Sequence, residues 1–303
     1  MKGVPQVQIT ANGLSLEVEQ HGPTDAQSIL LIRGLGSQLI HWPEGLIDAL
    51  VGHGLHVITF DNRDSGLSQK FTEYGAPDFT AMEAALAKGD APELPYETED
   101  MARDAIGVLD ALGIKAAHVL GMSMGGMIAQ TLALEHSDRL ISATIVMSTS
   151  GLPGLPAPTP EAAIALTAYP ENPDDRNDVI EFTLKSDRVW MSPGFPFDPD
   201  QRRALIGRAY DRCYYPEGVQ RQYASLLGWR GRFNEHAQIA VPVLVVHGTD
   251  DTLLPVDHGR DIAARIPGAE LYEINGMGHD LEGGIPDLIV SRLIAFLGKH
   301  GLR

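Results

Sequence analysis

Apolar and polar positions follow two different periods along the chain, and their order predicts the architecture. Leu14 to Glu19 alternates apolar with polar residues, as a strand with one wet face does. Ser28 to Ile32 and His56 to Phe60 are compact apolar runs, the pattern of strands covered on both faces. Between them, Leu39 to Val51 repeats apolar residues at helical spacing, which predicts a helix. Thr98 to Leu112 places Ala102, Ala105, Ile106 and Leu109 on one face, with Thr98 as its expected start and Gly113 as its stop. A strand at Ala117 to Leu120, a helix from Ser123 to His136 and a strand at Leu140 to Met147 follow. This alternation predicts an α/β protein, a mostly parallel sheet with helices on both faces.

The pattern breaks at Gly151, where GLPGLPAPTP suits an extended linker. From there to about His236 the sequence reads as helices and loops without a buried strand. Of 19 aromatic residues, 11 fall in this stretch. The sheet pattern resumes at Val241 to Gly248, then a helix near Val256 to Ile266, a strand at Glu270 to Ile274 and a helix from Pro286 to Leu297. The expected organisation is therefore a core made of residues 1–151 and 237–303, interrupted by a mainly helical cap at 152–236.

Composition narrows the function. The 303 residues carry a formal net charge of −17, which argues against binding a nucleic-acid backbone. The basic pairs Arg202–Arg203 and Arg230/Arg232 read as ordinary surface. A single cysteine excludes an internal disulfide and a cysteine-based zinc site. The opening MKGVPQVQITANG has no apolar run fit for a leader, and no run of about 18 apolar residues suits a membrane span. A soluble, cytoplasmic protein is expected.

The strongest chemical signal is Gly121-Met122-Ser123-Met124-Gly125, followed by Gly126 and set between an apolar strand and an apolar helix. A serine hydroxyl is a weak nucleophile, and a sharp strand-to-helix turn lifts it above the sheet edge. Small residues at 121 and 125 let the backbone close around that turn. A general base is expected later in the chain, and His279 stands in a glycine-flanked loop after the last predicted strand. The orienting acid should follow Val241 to Gly248, where Asp250 and Asp251 are adjacent. Asp251 is preferred, with Asp250 open and Asp257 assigned to capping a helix. An oxyanion hole needs two backbone amides, expected at Leu35 in Arg33-Gly34-Leu35-Gly36 and at Met124. Gly34-Leu35-Gly36-Ser37-Gln38-Leu39 lacks the third glycine of a dinucleotide fingerprint, and neither a phosphate loop nor a metal-ligand spacing occurs, so no cofactor or metal is expected. Asp61 to Ser68 (DNRDSGLS) reads as a structural turn near the site, with an acidic site as the other reading. Trp190 and Trp229 either line a pocket or fill the cap.

These motifs, RGLG, FDNRDSGLS, GMSMGG, HGTDD and GMGHD, stand in the order found in the α/β-hydrolase fold superfamily, which the chain resembles over nearly its whole length. The stretches HVITFDNRDSGLS, HVLGMSMGG, DHGRDIAARIPGAEL and GMGHDL are similar to the aclacinomycin methylesterase-like branch. The resemblance implies a catalytic triad of Ser123, Asp251 and His279, with oxyanion donors at Leu35 and Met124. It departs from many relatives at Arg33-Gly34, where they carry His-Gly. The implied activity is hydrolysis of a carboxylic ester, with a small hydrophobic ester, such as a methyl ester of a ring-bearing metabolite, as the expected substrate. Lactone, thioester or carbon–carbon hydrolysis and perhydrolysis share the same triad. A ligand-binding receptor with negligible turnover is the alternative of another class.

Overall fold

The computed structural model describes residues 7–229 and 231–302. Its centre is an 8-stranded sheet ordered β1-β2-β4-β3-β5-β6-β7-β8. The strands are β1 (Val7–Ala11), β2 (Leu14–His21), β3 (Gln27–Ile32), β4 (Leu55–Phe60), β5 (Ala117–Met122), β6 (Leu140–Val146), β7 (Val243–Gly248) and β8 (Glu270–Ile274). β1–β2 and β2–β4 pair antiparallel, and all pairs from β4 to β8 are parallel. The central strands β4, β5 and β7 are buried at every position. That is why their sequences run apolar instead of alternating.

One strand lies outside the sequence expectation. β1 joins β2 through Asn12 and Gly13, both at positive φ (51° and 76°), the geometry of a tight hairpin turn. Asn-Gly was the readable signal. The predicted helix at Leu39 to Val51 is instead two pieces, a single 3-10 turn at Leu39–His41 and α1 (Glu44–Gly52). Pro43 separates them: it holds Trp42 in an extended conformation (ψ 127°), where a helix cannot continue. A helix that the periodicity did not reveal, α2 (Phe79–Lys88), is bounded by an Asp78 cap and a left-handed Gly89. α3 (Thr98–Ala111) is capped by Glu97 paired reciprocally with Asp100, so Thr98 is a buried first-turn residue and not the cap.

α4 (Met124–Glu135) runs beneath the sheet edge from Ser123, with ten consecutive residues buried from Met124 to Ala133. Between β6 and β7 come α5 (Pro160–Thr167), α6 (Arg176–Asp187), α7 (Pro199–Cys213) and α8 (Pro216–Gly228), with no strand among the described residues. The two ends of this insertion meet: a Cβ added to Gly151 would come 2.6 Å from Gly231 Cα. α9 (Asp257–Arg265) and α10 (Ile285–Lys299) complete the chain. Asp257 does not cap α9, since Val256 holds the cap position; Asp257 is its first residue and faces Arg260 at 3.4 Å.

The basic pairs are not uniformly ordinary surface. Arg202 is largely buried between Asp187 (2.7 Å) and Glu282 (3.3 Å), whereas Arg203 pairs at the surface with Glu181 and Asp200. Arg232 pairs with Glu135 and Glu235. Arg230 lies outside the described residues. No described helix is long and apolar enough to cross a membrane.

Candidate active site

The turn between β5 and α4 is built around Ser123, which adopts φ 56° and ψ −119°. A non-glycine residue is strained there, and the surrounding backbone holds it. The glycines on either side have no alternative. A Cβ on Gly121 would lie 2.0 Å from the Gly125 carbonyl oxygen, one on Gly125 2.1 Å from Ile32 O, and one on Gly126 2.5 Å from Ser148 Cβ. The Ser123 amide donates to Val146 O (2.9 Å), fastening the turn to β6. The hydroxyl is thereby lifted off the sheet edge and left partly exposed.

Two loops from the far end of the sheet reach that hydroxyl. His279 Nε2 lies 3.0 Å from Ser123 Oγ, and His279 Nδ1 lies 2.6 Å from Asp251 Oδ2. Asp251 is almost wholly buried and accepts from the amides of Leu253 (2.9 Å) and Leu254 (2.8 Å) through its other oxygen. Burial opposes its ionisation, but the His279 charge and hydrogen bonds from His247 and His279 outweigh it and hold the carboxyl well below its ordinary range. Asp250 faces elsewhere: it accepts from Thr249 Oγ1 (2.6 Å) and the Gly276 amide (3.1 Å), tying two loops together. Of the two adjacent carboxylates, Asp251 is the one joined to His279.

The loop carrying Leu35 abuts the serine. A Cβ on Gly34 would sit 3.1 Å from Ser123 Cβ and 3.5 Å from its Oγ. The Leu35 and Met124 amides, the second at the start of α4, have no acceptor among the described residues. An imidazole bonded to a carboxylate on one side and a hydroxyl on the other can take the hydroxyl's proton as its oxygen attacks a carbonyl. Free amides beside that oxygen can hold the negative charge that develops.

The periodicity gave no hint of how the insertion clamps this loop. The His279 amide donates to Trp190 O (2.7 Å), and Ser192 Oγ donates to Asp280 Oδ2 (2.6 Å) while accepting from the Gly278 amide (2.7 Å). Gly278 must be glycine because a Cβ would lie 2.3 Å from Trp190 O. DNRDSGLS is a structural turn whose carboxylates are consumed internally. Asp61 accepts from the Leu39 and Leu67 amides and from Arg212 (2.7 Å). Asp64 accepts from Tyr96, the Phe71 amide and both sides of Arg221 (2.8 and 2.9 Å). Arg212 and Arg221 belong to α7 and α8, so this turn also anchors the insertion. Neither arginine was legible as an anchor.

A cavity of about 640 Å³ opens between the insertion and the core. Leu35, Asp64, Trp190, Tyr210, Tyr215 and Tyr223 are among its walls, whereas Ser123 and His279 are not. Two of its walls belong to segments that touch the site, Leu35 in the loop of Gly34, which abuts Ser123, and Trp190, whose carbonyl accepts from the His279 amide. Trp229 lies away from it, against Gly151. Among the described residues, no group of three His, Cys, Asp or Glu side chains is gathered for a metal ion.

Comparison with known proteins agrees with this architecture. The family described as alpha/beta hydrolase fold matches residues 27–281. The chain is 30% identical to the rhodomycin D methylesterase DauP of Streptomyces sp. (strain C5), over 96% of this chain and 98% of that one. The enol-lactonase from Burkholderia xenovorans LB400 superposes with a TM-score of 0.71 at 23% identity, covering 96% of this chain and 100% of that chain. An esterase from Exiguobacterium antarcticum gives 0.74 at 18% identity over 97% and 100%, a likeness of fold alone. The chain therefore belongs to the alpha/beta hydrolase fold family, on its aclacinomycin methylesterase-like branch.

Proposed function

We propose that this hydrolase cleaves carboxylic esters through an acyl-enzyme on Ser123, with His279 as general base and acid and Asp251 holding the imidazole. The observation that carries the reading is the unbroken hydrogen-bonded chain Ser123–His279–Asp251 beside the Leu35 and Met124 amides. Ser123 Oγ attacks the ester carbonyl as His279 Nε2 takes its proton, and the two amides hold the oxyanion. Each such donor is worth about 3 kcal/mol in comparable sites. His279 then protonates the departing alcohol, and a water activated by the same imidazole releases the acid.

Residues 152–236 act as the cap, and the aromatic-walled cavity beneath it takes the organic part of the substrate. A hydrophobic, ring-bearing ester, a methyl ester among them, fits those walls, and the resemblance to a methylesterase supports the same class.

Intact-mass analysis after incubation with a fluorophosphonate tests the nucleophile. Stoichiometric labelling of the wild type and none of folded Ser123→Ala is expected, together with turnover of methyl esters. Labelling of the variant, or labelling of the wild type at another serine, would overturn the assignment.

A further inference from the structure

Leu35 sits in a four-residue turn whose Ser37 amide donates to Gly34 O (3.2 Å). Of the two central residues only Gly36 has a positive φ (65°), the form of turn that calls for glycine at its third place. Gly34 abuts the nucleophile, since a Cβ there would lie 3.1 Å from Ser123 Cβ. Gly36 abuts α8, since a Cβ there would lie 3.1 Å from a Val219 methyl. The central peptide of the turn makes one hydrogen bond among the described residues, from the Gly36 amide to Gln222 Oε1 (2.9 Å).

Gln222 follows Val219 by one turn of α8, on the same face, and is 1% exposed. Its Nε2 donates to Arg63 O (2.7 Å). Turning the carboxamide over would set Nε2 against an N–H and Oε1 against a carbonyl, so the two bonds fix its orientation. A Cβ on Gly218 would lie 2.1 Å from Asp64 O, so α8 rests on the backbone of the DNRDSGLS turn. Gln222 therefore ties the insertion to two loops of the core, one of them the loop that carries Leu35. It is not among the cavity walls, whereas its neighbours Val219 and Tyr223 are.

We propose that Gln222 is a positioning residue for the oxyanion hole, holding the Leu35 amide in place from the insertion without touching substrate. The inference rests on the ester-hydrolase reading and deepens it: the insertion shapes transition-state stabilisation as well as enclosing the cavity. An oxyanion donor acts by being in place before charge develops, and a misplacement of about 1 Å can cost about a hundredfold in rate. Without Gln222 Oε1 the Gly36 amide loses its partner, and the central peptide is free to turn over, because glycine is equally at ease at negative φ. The loop then loses the tie that sets the distance of the Leu35 amide from Ser123 Oγ.

The test uses two ketones of nearly the same shape. Ser123 Oγ adds to the carbonyl carbon of trifluoroacetophenone: the C=O π pair becomes the oxyanion, and the hydroxyl proton passes to His279 Nε2. Acetophenone occupies the cavity without forming that adduct. The ratio of their inhibition constants against p-nitrophenyl acetate hydrolysis therefore reads the oxyanion hole, whatever fraction of the enzyme is folded. In Gln222→Met the preference for the trifluoroketone should fall at least about tenfold, in step with kcat/KM, while acetophenone binding changes less than about twofold. Gln222→Glu keeps an acceptor for the Gly36 amide in either charge state and should hold the preference within about threefold of wild type. A residue that only stabilised the fold would lower Tm and leave the ratio alone. An unchanged ratio in Gln222→Met, or a tenfold loss in Gln222→Glu, would overturn the assignment, and either variant alone decides it if the other does not fold. A wild type that turns over no ester and takes no label on Ser123 would instead overturn the reading on which the inference rests.

Discussion

Replacing Arg221 with Met tests whether the insertion is held to the core by buried charge. Arg221 and Asp64 are 1% and 0% exposed and make two hydrogen bonds at 2.8 and 2.9 Å. Arg221 also donates to Gly75 O (2.8 Å) and Tyr215 Oη (2.7 Å). Removing it leaves a buried carboxylate with Tyr96 and one amide, a loss of about 3–5 kcal/mol for a broken buried pair. Unfolding entropy of about 2.1 cal/mol/K per residue converts this into a Tm fall of about 5–8 °C for a chain of this length. The assay is calorimetry on wild type, Arg221→Met, Asp64→Asn and the double variant. The double variant should recover part of the loss, because the stranded charge is gone. Asp64 and Tyr215 also wall the cavity, so KM should rise more than kcat falls. A Tm fall under about 2 °C, or strictly additive effects, would refute the argument that this pair fastens the insertion.

Three further outcomes are expected. Asp251→Asn should lower kcat by about 10³–10⁴-fold with little change in fold, whereas Asp250→Asn, removed from His279, should cost under about threefold; comparable losses would contradict the geometry. Gly121→Ala should fail to fold or lose activity, since its Cβ would sit 2.0 Å from a carbonyl oxygen, and soluble expression with activity reads this directly. His118 is buried against Ser142 with its pKa lowered to about 4 by burial and then by His300. The unfolded chain binds that proton near 6.5, so stability is full above about pH 6.5 and is lost as pH falls towards 4. Urea unfolding between pH 7 and 5 should therefore show about 2 kcal/mol less loss in His118→Gln than in wild type.

Local sequence decided a great deal here. The apolar runs of β3, β4, β5 and β7 announce strands covered on both faces, because a central parallel strand buries both its faces and admits a polar side chain only where a partner meets it, as Ser142 meets His118. Gly121, Ser123 and Gly125 announce a tight strand-to-helix turn, because the backbone contacts at 2.0 and 2.1 Å exclude any side chain. His279 and the Asp250–Asp251 pair were legible from their place after β8 and β7. Local signals also existed for β1 and α2, in Asn12-Gly13 and in the Asp78 and Gly89 caps, but these say little about periodicity.

Tertiary structure decided what depends on residues far apart in the chain. Only the meeting of the β7 and β8 loops selects Asp251 over Asp250, since neighbouring carboxylates point in different directions and a 2.6 Å contact tolerates one of them. The anchoring of DNRDSGLS by Arg212 and Arg221 spans about 150 residues of sequence, beyond the reach of any spacing rule. Arg33 looked like a mere replacement for histidine before a glycine. Its burial without a paired carboxylate among the described residues is a property of the packed molecule that no local pattern shows.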